Sequence, residues 1–196
     1  MLKTYLLLLL CFSTTFIDAQ NLNAFKDENG RYGFKDEADN IVIKAEYDYA
    51  YDFKEGMALV NLGGAEEEEY DNYFVGGLWG YINKKGKVVI PIQYQLANDF
   101  SDGVAKVSMH IMEGYGYIDK KGQTVIPFKF NDARDFSDGF AGVQLKISGK
   151  WCIINKKGIS VTPYKFDNIY TFHDGKALVK LNGQEFYIDK TGKKVE

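Results

Sequence analysis

The stretch that decides the fold is Trp79-Gly80-Tyr81-Ile82-Asn83-Lys84-Lys85-Gly86-Lys87-Val88-Val89-Ile90-Pro91. Tyr81-Ile82 and Val88-Val89-Ile90 are residues that favour β-strands, and Pro91 ends the second strand because proline cannot donate to a ladder. Between the two strands, Asn83-Lys84-Lys85-Gly86 suits a type I turn followed by a left-handed glycine. The stretch therefore predicts a β-hairpin.

The same stretch recurs along the chain. A shift of 36 residues places Tyr115-Gly116-Tyr117-Ile118-Asp119 on it, and a second shift of 36 places Trp151-Cys152-Ile153-Ile154-Asn155. All three prolines of the chain fall at one repeat position, which is occupied by Pro91, Pro127 and Pro163. Self-similarity at a fixed period of this length is the signature of a repeat architecture.

Two further copies lie at the ends of this series. One begins at Tyr32, 47 residues upstream of the second copy, because 11 residues are inserted around the acidic stretch 63–73. A last, partial copy contains Tyr187-Ile188-Asp189-Lys190-Thr191-Gly192. The predicted units, numbered 1 to 5 below, are residues 30–62, 77–107, 114–145, 149–181 and the partial 183–196.

Each unit is predicted to be a meander of three short antiparallel strands. After Pro91 a connecting stretch leads to the turn Ser101-Asp102-Gly103 and to a third strand, Val104-Ala105-Lys106-Val107,. No segment shows the 3.6-residue period of a helix, so the predicted fold class is all-β.

The two termini bear on how the array of units ends. Leu22–Lys26 resembles a third strand without its unit, and Phe186–Val195 resembles a hairpin without its third strand. An open, twisted, solenoid-like array is the expected architecture. The alternative is a closed five-unit ring, in which these two pieces would pair and remove the exposed edges.

The first 19 residues have the layout of a secretory signal peptide. A basic start at Lys3 precedes the apolar run Leu6–Leu10, and Ile17-Asp18-Ala19 resembles a cleavage site before Gln20,. Export to the periplasm, the cell surface or the medium is therefore expected, with residues 20–196 as one repeat domain.

Cys152 is the one cysteine after this cleavage site, which excludes an internal disulfide,. The net charge of −3 argues against nucleic acid as a partner,.

The pattern running from Trp79 to Pro91 closely resembles the WG repeat, also called the KWG repeat, of bacterial proteins. The resemblance covers roughly residues 30 to 196 and departs from the Trp-Gly pair at Tyr32, Tyr115, Cys152 and Glu185-Phe186. It implies a β-rich repeat array, which is usually assigned to binding or to no function at all, and it supplies no catalytic residues or cofactor.

Few residues are candidates for chemistry. His110 and His173 are the two histidines, too few for a zinc site without a cysteine pair,. Ser101 and Ser137 each precede aspartate in equivalent turns, which indicates structural use and not a catalytic triad,. The acidic run Glu66–Glu69 with Asp71 has carboxylates that bind calcium elsewhere, although a solvated loop is the simpler interpretation.

Aromatic side chains are the largest resource of the chain. Tyr32, Trp79, Tyr115 and Trp151 share one repeat position. They are expected either to pack one unit on the next or to form a ladder that stacks on a ligand. A non-enzymatic binding or scaffold protein, with an unknown protein, peptide or glycan as its partner, is the expected function. The alternative is an envelope-polymer hydrolase or another carbohydrate-active protein that uses one asymmetric unit.

Overall fold

The computed structural model describes residues 21–67, 73–145 and 149–196, so the predicted signal peptide lies outside the described residues. Every regular element in these ranges is a β-strand, which confirms the all-β prediction. The strands are β1 (Asn23–Lys26), β2 (Tyr32–Lys35), β3 (Ile41–Tyr47), β4 (Tyr49–Ala50), β5 (Met57–Glu67), β6 (Tyr73–Asn83), β7 (Val88–Tyr94), β8 (Leu96–Ala97), β9 (Val104–Ser108), β10 (Tyr115–Asp119), β11 (Thr124–Ala133), β12 (Phe140–Leu145), β13 (Trp151–Asn155), β14 (Asn168–Ile169), β15 (Lys176–Leu181), β16 (Gln184–Asp189) and β17 (Lys194–Val195).

The hairpin turns form as the sequence predicts. The Gly86 N–H donates to the Asn83 carbonyl at 2.9 Å, with Gly86 at φ 74°. The Asn83 side-chain oxygen accepts from the Lys85 and Lys87 amides at 3.0 and 3.1 Å, which pins the turn from inside,. Equivalent side-chain bonds are made by Asp119, Asn155 and Asp189. In unit 1, Asp39 takes the place of the glycine at φ 65°.

Sheets cross the borders between units. The third strand of each unit pairs antiparallel with the first strand of the next, as β5 pairs with β6 and β9 with β10. The described residues form four sheets, with the orders β1-β2-β3, β4-β5-β6-β7, β8-β9-β10-β11-β12-β13 and β14-β15-β16-β17. Strand β1 pairs with β2, and β17 pairs with β16 in a different sheet. The array is therefore open, as expected, and the five-unit ring is wrong.

The glycine after each first aromatic residue sits in a β-bulge. Trp79 faces Tyr94 and Tyr81 faces Ile90, so one residue on β6 opposes three on β7. A Cβ on Gly80 would lie 2.7 Å from the backbone nitrogen of Ile92. That is closer than real Cβ contacts allow. The bulged strand β7 can approach β6 this closely because the residue opposite the bulge, Gly80, has no side chain.

Unit 4 shows what a side chain does at this position. Cys152 replaces the glycine, and the second strand of the unit is lost from residues 156–167, where isolated bridges at Ser160 and Phe166 remain. The Ser160 hydroxyl donates to the Cys152 sulfur at 3.0 Å. The repeat pattern predicts a strand here, and the Cβ and sulfur of Cys152 give a physical reason for its loss.

The first strands of units 2 to 4 are buried on both faces. Tyr81 packs in one hydrophobic cluster with Ile90 and Phe100 of its own unit, whereas the adjacent Ile82 packs in the cluster of unit 1 with Phe34. Ile118, Ile154 and Ile188 enter the preceding cluster in the same way. Because side chains alternate across a strand, the first strands of units 2 to 4 each join two successive cores,.

A second connection between units runs through their Asp-Gly turns, and we call it the turn ladder. The carboxylate of Asp102 accepts the Gly139 N–H at 2.6 Å, and that of Asp138 accepts the Gly175 N–H at 2.6 Å. Glu55 accepts the Gly103 N–H at 3.0 Å. These acids have positive φ values of 50° to 57°, as type I′ hairpin turns require,.

The acidic insertion differs from the expected loop. Strands β5 and β6 continue into it, with Gly64 opposite Gly76 and Glu67 opposite Tyr73. The insertion therefore lengthens a hairpin, because backbone pairing does not need β-forming side chains once the register is set by β5 and β6. Residues 68–72 lie outside the described residues, so the calcium interpretation of Glu66–Glu69 and Asp71 stays a prediction.

Candidate functional site

The four aromatic residues singled out by the sequence lie at successive unit junctions. Trp79 and Trp151 are buried, whereas Tyr32 and Tyr115 are half-buried. A cation from the same chain lies over the ring in three cases: Lys26 Nζ at 5.6 Å from the Tyr32 centroid, Lys106 Nζ at 5.0 Å from Tyr115, and Arg134 Cζ at 4.4 Å from Trp151. These cations cover ring faces on which a ligand would have to stack if the four aromatic residues formed a ligand-binding ladder.

Two tyrosine rings lie against Trp79. The Tyr51 ring lies 5.7 Å from it at an interplanar angle of 31°, and the Tyr49 ring lies 6.3 Å from it edge-on. Tyr49 also contacts Tyr32 at 4.7 Å. The structure thus brings Tyr32 and Trp79 into one aromatic cluster, and it leaves Tyr115 and Trp151 at their own junctions.

A cleft of about 240 Å³ opens beside this cluster. Tyr51, which is 43% exposed, forms one wall of it. The residues that line the cleft are Tyr51, Leu59, Ala97, Asn98 and Asp99. An aromatic face next to an amide and a carboxylate is the combination that binds a polar ligand with apolar faces.

Asp99 is the charged group of the cleft. Its Oδ1 is buried without a hydrogen-bond partner in the part of the chain that the structure describes. Burial raises the pKa of Asp99; Lys54 opposes that rise, and the charges of Asp135 and Asp52 add to it,. Asp99 therefore lines the cleft with one carboxylate oxygen that is buried and has no hydrogen-bond partner among the described residues.

Sequence reasoning missed Tyr51 because it did not compare the repeat position at which units differ. Tyr51, Asn98, Arg134 and Tyr170 are equivalent residues in units 1 to 4. At this position Arg134 stacks on Trp151, donates to the Ile169 carbonyl at 3.2 Å and donates to the Asn168 side chain at 3.1 Å. An alignment of the units could have identified Tyr51, because a repeat position whose residue type differs from unit to unit is not fixed by the fold.

The other candidate residues are placed outside the cleft. Ser101 donates to the Phe136 carbonyl of the next unit at 2.7 Å, and His173 is exposed beside Asp174. Burial raises the pKa of the Cys152 thiol, which disfavours the nucleophilic thiolate,. Within residues 21–67, 73–145 and 149–196, no three His, Cys, Asp or Glu residues are grouped to hold a metal ion, and no helix is long and apolar enough to span a membrane.

Comparison with solved structures finds a protein of unknown function from Bacteroides caccae, known from a crystal structure at 1.35 Å resolution. It is 15% identical over 90% of this chain and 92% of that chain, with a TM-score of 0.32, which is too low to indicate a shared fold. No protein of curated function matches the chain.

The sequence profile of the WG containing repeat matches four segments, residues 32–64, 79–110, 115–151 and 151–184. These segments begin at the aromatic residues of units 1 to 4 and cover most of the array, including the bulge glycines and the turn ladder. The chain therefore belongs to the family of proteins with WG containing repeats.

Proposed function

We propose that this protein is an exported, non-enzymatic binding or scaffold module that acts at the cell envelope or outside the cell. Its partner is a protein, a peptide or a glycan. The cleft at the junction of units 1 and 2 carries the proposal, because there an exposed Tyr51 ring, an amide and a carboxylate with an unused acceptor meet. An array of stacked units supports such a role, since it presents related surfaces in a row.

An envelope-polymer hydrolase remains the alternative function, and the cleft favours it less. Glycoside hydrolysis uses two carboxyl groups on either side of the bond that is cut. Asp99 is the single carboxylate among the described residues that line the cleft. Its raised pKa suits a general acid, but the residues beside it are an amide, a tyrosine and aliphatic side chains.

The test uses the mature protein as bait. N-terminal sequencing of the protein recovered from the envelope or the medium should begin at or near Gln20. This form is then applied to an envelope extract and to a glycan array, as wild type and as Tyr51→Ala. Tyr170→Ala is the matched control, because Tyr170 is equivalent in the repeat and 42% exposed, yet it lies outside the cleft.

Loss of one aromatic contact should weaken binding of the captured partner roughly tenfold or more in Tyr51→Ala and leave Tyr170→Ala unchanged. Equal binding by both variants would remove the cleft from the proposal. Turnover of a glycan that stops in Asp99→Asn would replace the binding function by the hydrolase.

A further inference from the structure

A cation of the chain itself occupies the junction of units 2 and 3. The Lys106 ammonium of unit 2 lies 5.0 Å from the ring centroid of Tyr115 in unit 3. The same ammonium donates to the Ala133 carbonyl of unit 3 at 2.9 Å. An aromatic face and one backbone carbonyl of the following unit therefore hold a positive charge at this junction.

The junction of units 3 and 4 holds a cation in the same way, although another position supplies it. The Arg134 guanidinium of unit 3 lies 4.4 Å from the ring centroid of Trp151 and donates to the Ile169 carbonyl at 3.2 Å. Trp151 is equivalent in the repeat to Tyr115, and Ile169 is equivalent to Ala133. The ring and the accepting carbonyl thus stay at fixed repeat positions while the cation comes from either of two positions.

At the junction of units 1 and 2 both of these positions carry uncharged side chains. Leu59 is equivalent to Lys106, and Tyr51 is equivalent to Arg134. Ala97 holds the position of the accepting carbonyl. Leu59, Tyr51 and Ala97 all line the cleft of about 240 Å³ described above. The cleft therefore lies among the residues that correspond to the cation sites of the next two junctions.

The other residues of the cleft suit a cation with a flat face. Tyr51 is 43% exposed, so its ring is available for stacking. Asp99 adds a carboxylate, and Asn98 adds an amide oxygen while one of its amide N–H groups is donated to Asp135 at 3.2 Å. A guanidinium makes charge-assisted hydrogen bonds to such acceptors and stacks on an aromatic ring.

The charges near Asp99 also favour a cation. Burial raises the pKa of Asp99; Lys54 lowers it, and the charges of Asp135 and Asp52 raise it further. Three carboxylates and one ammonium therefore act on this part of the junction. A bound cation would offset the repulsion among these carboxylates and would stabilise the ionised form of Asp99.

We propose that the cleft at the junction of units 1 and 2 binds the guanidinium group of an arginine side chain on a partner protein. Arginine fits better than lysine, because Arg134 combines its ring contact with a second hydrogen bond, to the Asn168 side chain at 3.1 Å. A protein fits better than an amino sugar, because both occupants of the equivalent sites are protein side chains. This inference rests on the proposed binding function and names the chemistry of the partner.

The experiment titrates the mature protein with the peptide acetyl-Gly-Arg-Gly-amide, and with the same peptide in which citrulline replaces the arginine. Citrulline keeps the shape of the side chain and removes its charge. Followed by NMR, the Ala97 and Asn98 amides should shift with the arginine peptide and not with the citrulline peptide. The Ala133 and Ile169 amides should not shift, because cations of the chain already occupy those sites.

Asp99→Asn should bind the arginine peptide roughly tenfold or more weakly, because a neutral amide replaces the charged acceptor. Asp174→Asn is the matched control, since the Asp174 side chain is 90% exposed and lies outside the cleft. Melting temperatures identify a variant that has failed to fold.

Tyr51→Arg tests the site from the opposite direction. It places a guanidinium of the chain itself at the position that Arg134 holds in unit 3. This variant should no longer bind the arginine peptide. It should also melt at a higher temperature than Tyr51→Ala, because its own guanidinium fills the cleft.

Three results would overturn the site: equal shifts with the arginine and citrulline peptides, unchanged affinity in folded Asp99→Asn, or a response of the Ala97 amide to a glucosamine oligomer with none to the arginine peptide. The proposed function has a separate outcome, since it fails if the bait captures no partner in a Tyr51-dependent way even though the arginine peptide binds. Tyr51-dependent capture that excess arginine peptide does not compete would keep the function and remove arginine from the cleft.

Discussion

Gly116 offers a direct test of the bulge. Its φ lies outside the left-handed region, so alanine adds a Cβ without backbone strain of its own. That Cβ would lie 2.7 Å from the Ile126 carbonyl oxygen and 3.0 Å from the Phe128 nitrogen, whereas ordinary contact begins at 3.4 Å. Strand β11 must therefore retreat from β10 by about 0.7 Å. We expect Gly116→Ala to lower the free energy of unfolding by about 2 kcal/mol, and Gly116→Val by up to about 3 kcal/mol, through overpacking and weakened ladder bonds.

Urea denaturation gives the stability, and hydrogen exchange of the Ile126 and Phe128 amides reports whether β11 has moved. Gly142→Ala is the control, because its Cβ would meet the Ile169 side chain at 3.0 Å, which can shift more easily than a backbone. A loss below about 1 kcal/mol is expected there. If Gly116→Ala is as stable as the wild type, with unchanged amide exchange, the glycine is not held by the bulge and the role assigned to Cys152 in unit 4 is wrong as well.

Two further predictions concern buried or shared carboxylates. Asp138→Gly should lower the free energy of unfolding by about 1 kcal/mol more than Asp174→Gly. Glycine accepts the positive φ at both positions, but of the two aspartates Asp138 alone bonds the next unit, at Gly175,. Equal melting temperatures of the two variants would contradict the turn ladder as a source of stability. Asp99→Asn should stabilise the fold at pH 7 by up to about 1 kcal/mol, and the gain should shrink towards pH 4. Burial raises the pKa of Asp99 in the folded state, so the charged carboxylate lowers the stability of the fold above that pKa. The charge has no effect on stability once Asp99 is protonated in both the folded and the unfolded state,. A variant less stable than the wild type at pH 7 would mean that the Asp99 carboxylate has its hydrogen bonds satisfied in the fold.

The sequence was sufficient for every feature that local chemistry decides. Asn83 and Gly86 specify a turn by their own hydrogen bonds and backbone freedom, and the same pair recurs at 36-residue spacing. The open array was the favoured form, and Leu22–Lys26 was expected to act as a third strand, which it does as β1 paired with β2.

Features that depend on neighbouring units were not predictable in the same way. The turn ladder needs Gly139 to lie beside Asp102, 37 residues away, and no residue pattern states that distance. Predicting the loss of the second strand in unit 4 would require the distance between Cys152 and the backbone opposite it, which the sequence does not contain. The insertion was expected to be a loop from its composition, but the backbone pairing of β5 with β6 continues into it.

The burial pattern of the first strands bears on where this fold can vary. Tyr81 and Ile82 pack in two different cores, so a change at Tyr81 disturbs the core of unit 2 and a change at Ile82 disturbs the core of unit 1. The position held by Tyr51, Asn98, Arg134 and Tyr170 lies at the rim of a junction and takes four environments in four units. A residue there reaches the aromatic ring of the next unit without entering a core, as Tyr51 reaches Trp79 and Arg134 reaches Trp151. Changes at this rim alter the surface of a junction while the strands on both sides keep their packing, so under the proposed binding function specificity is expected to reside at the junctions and not within the units.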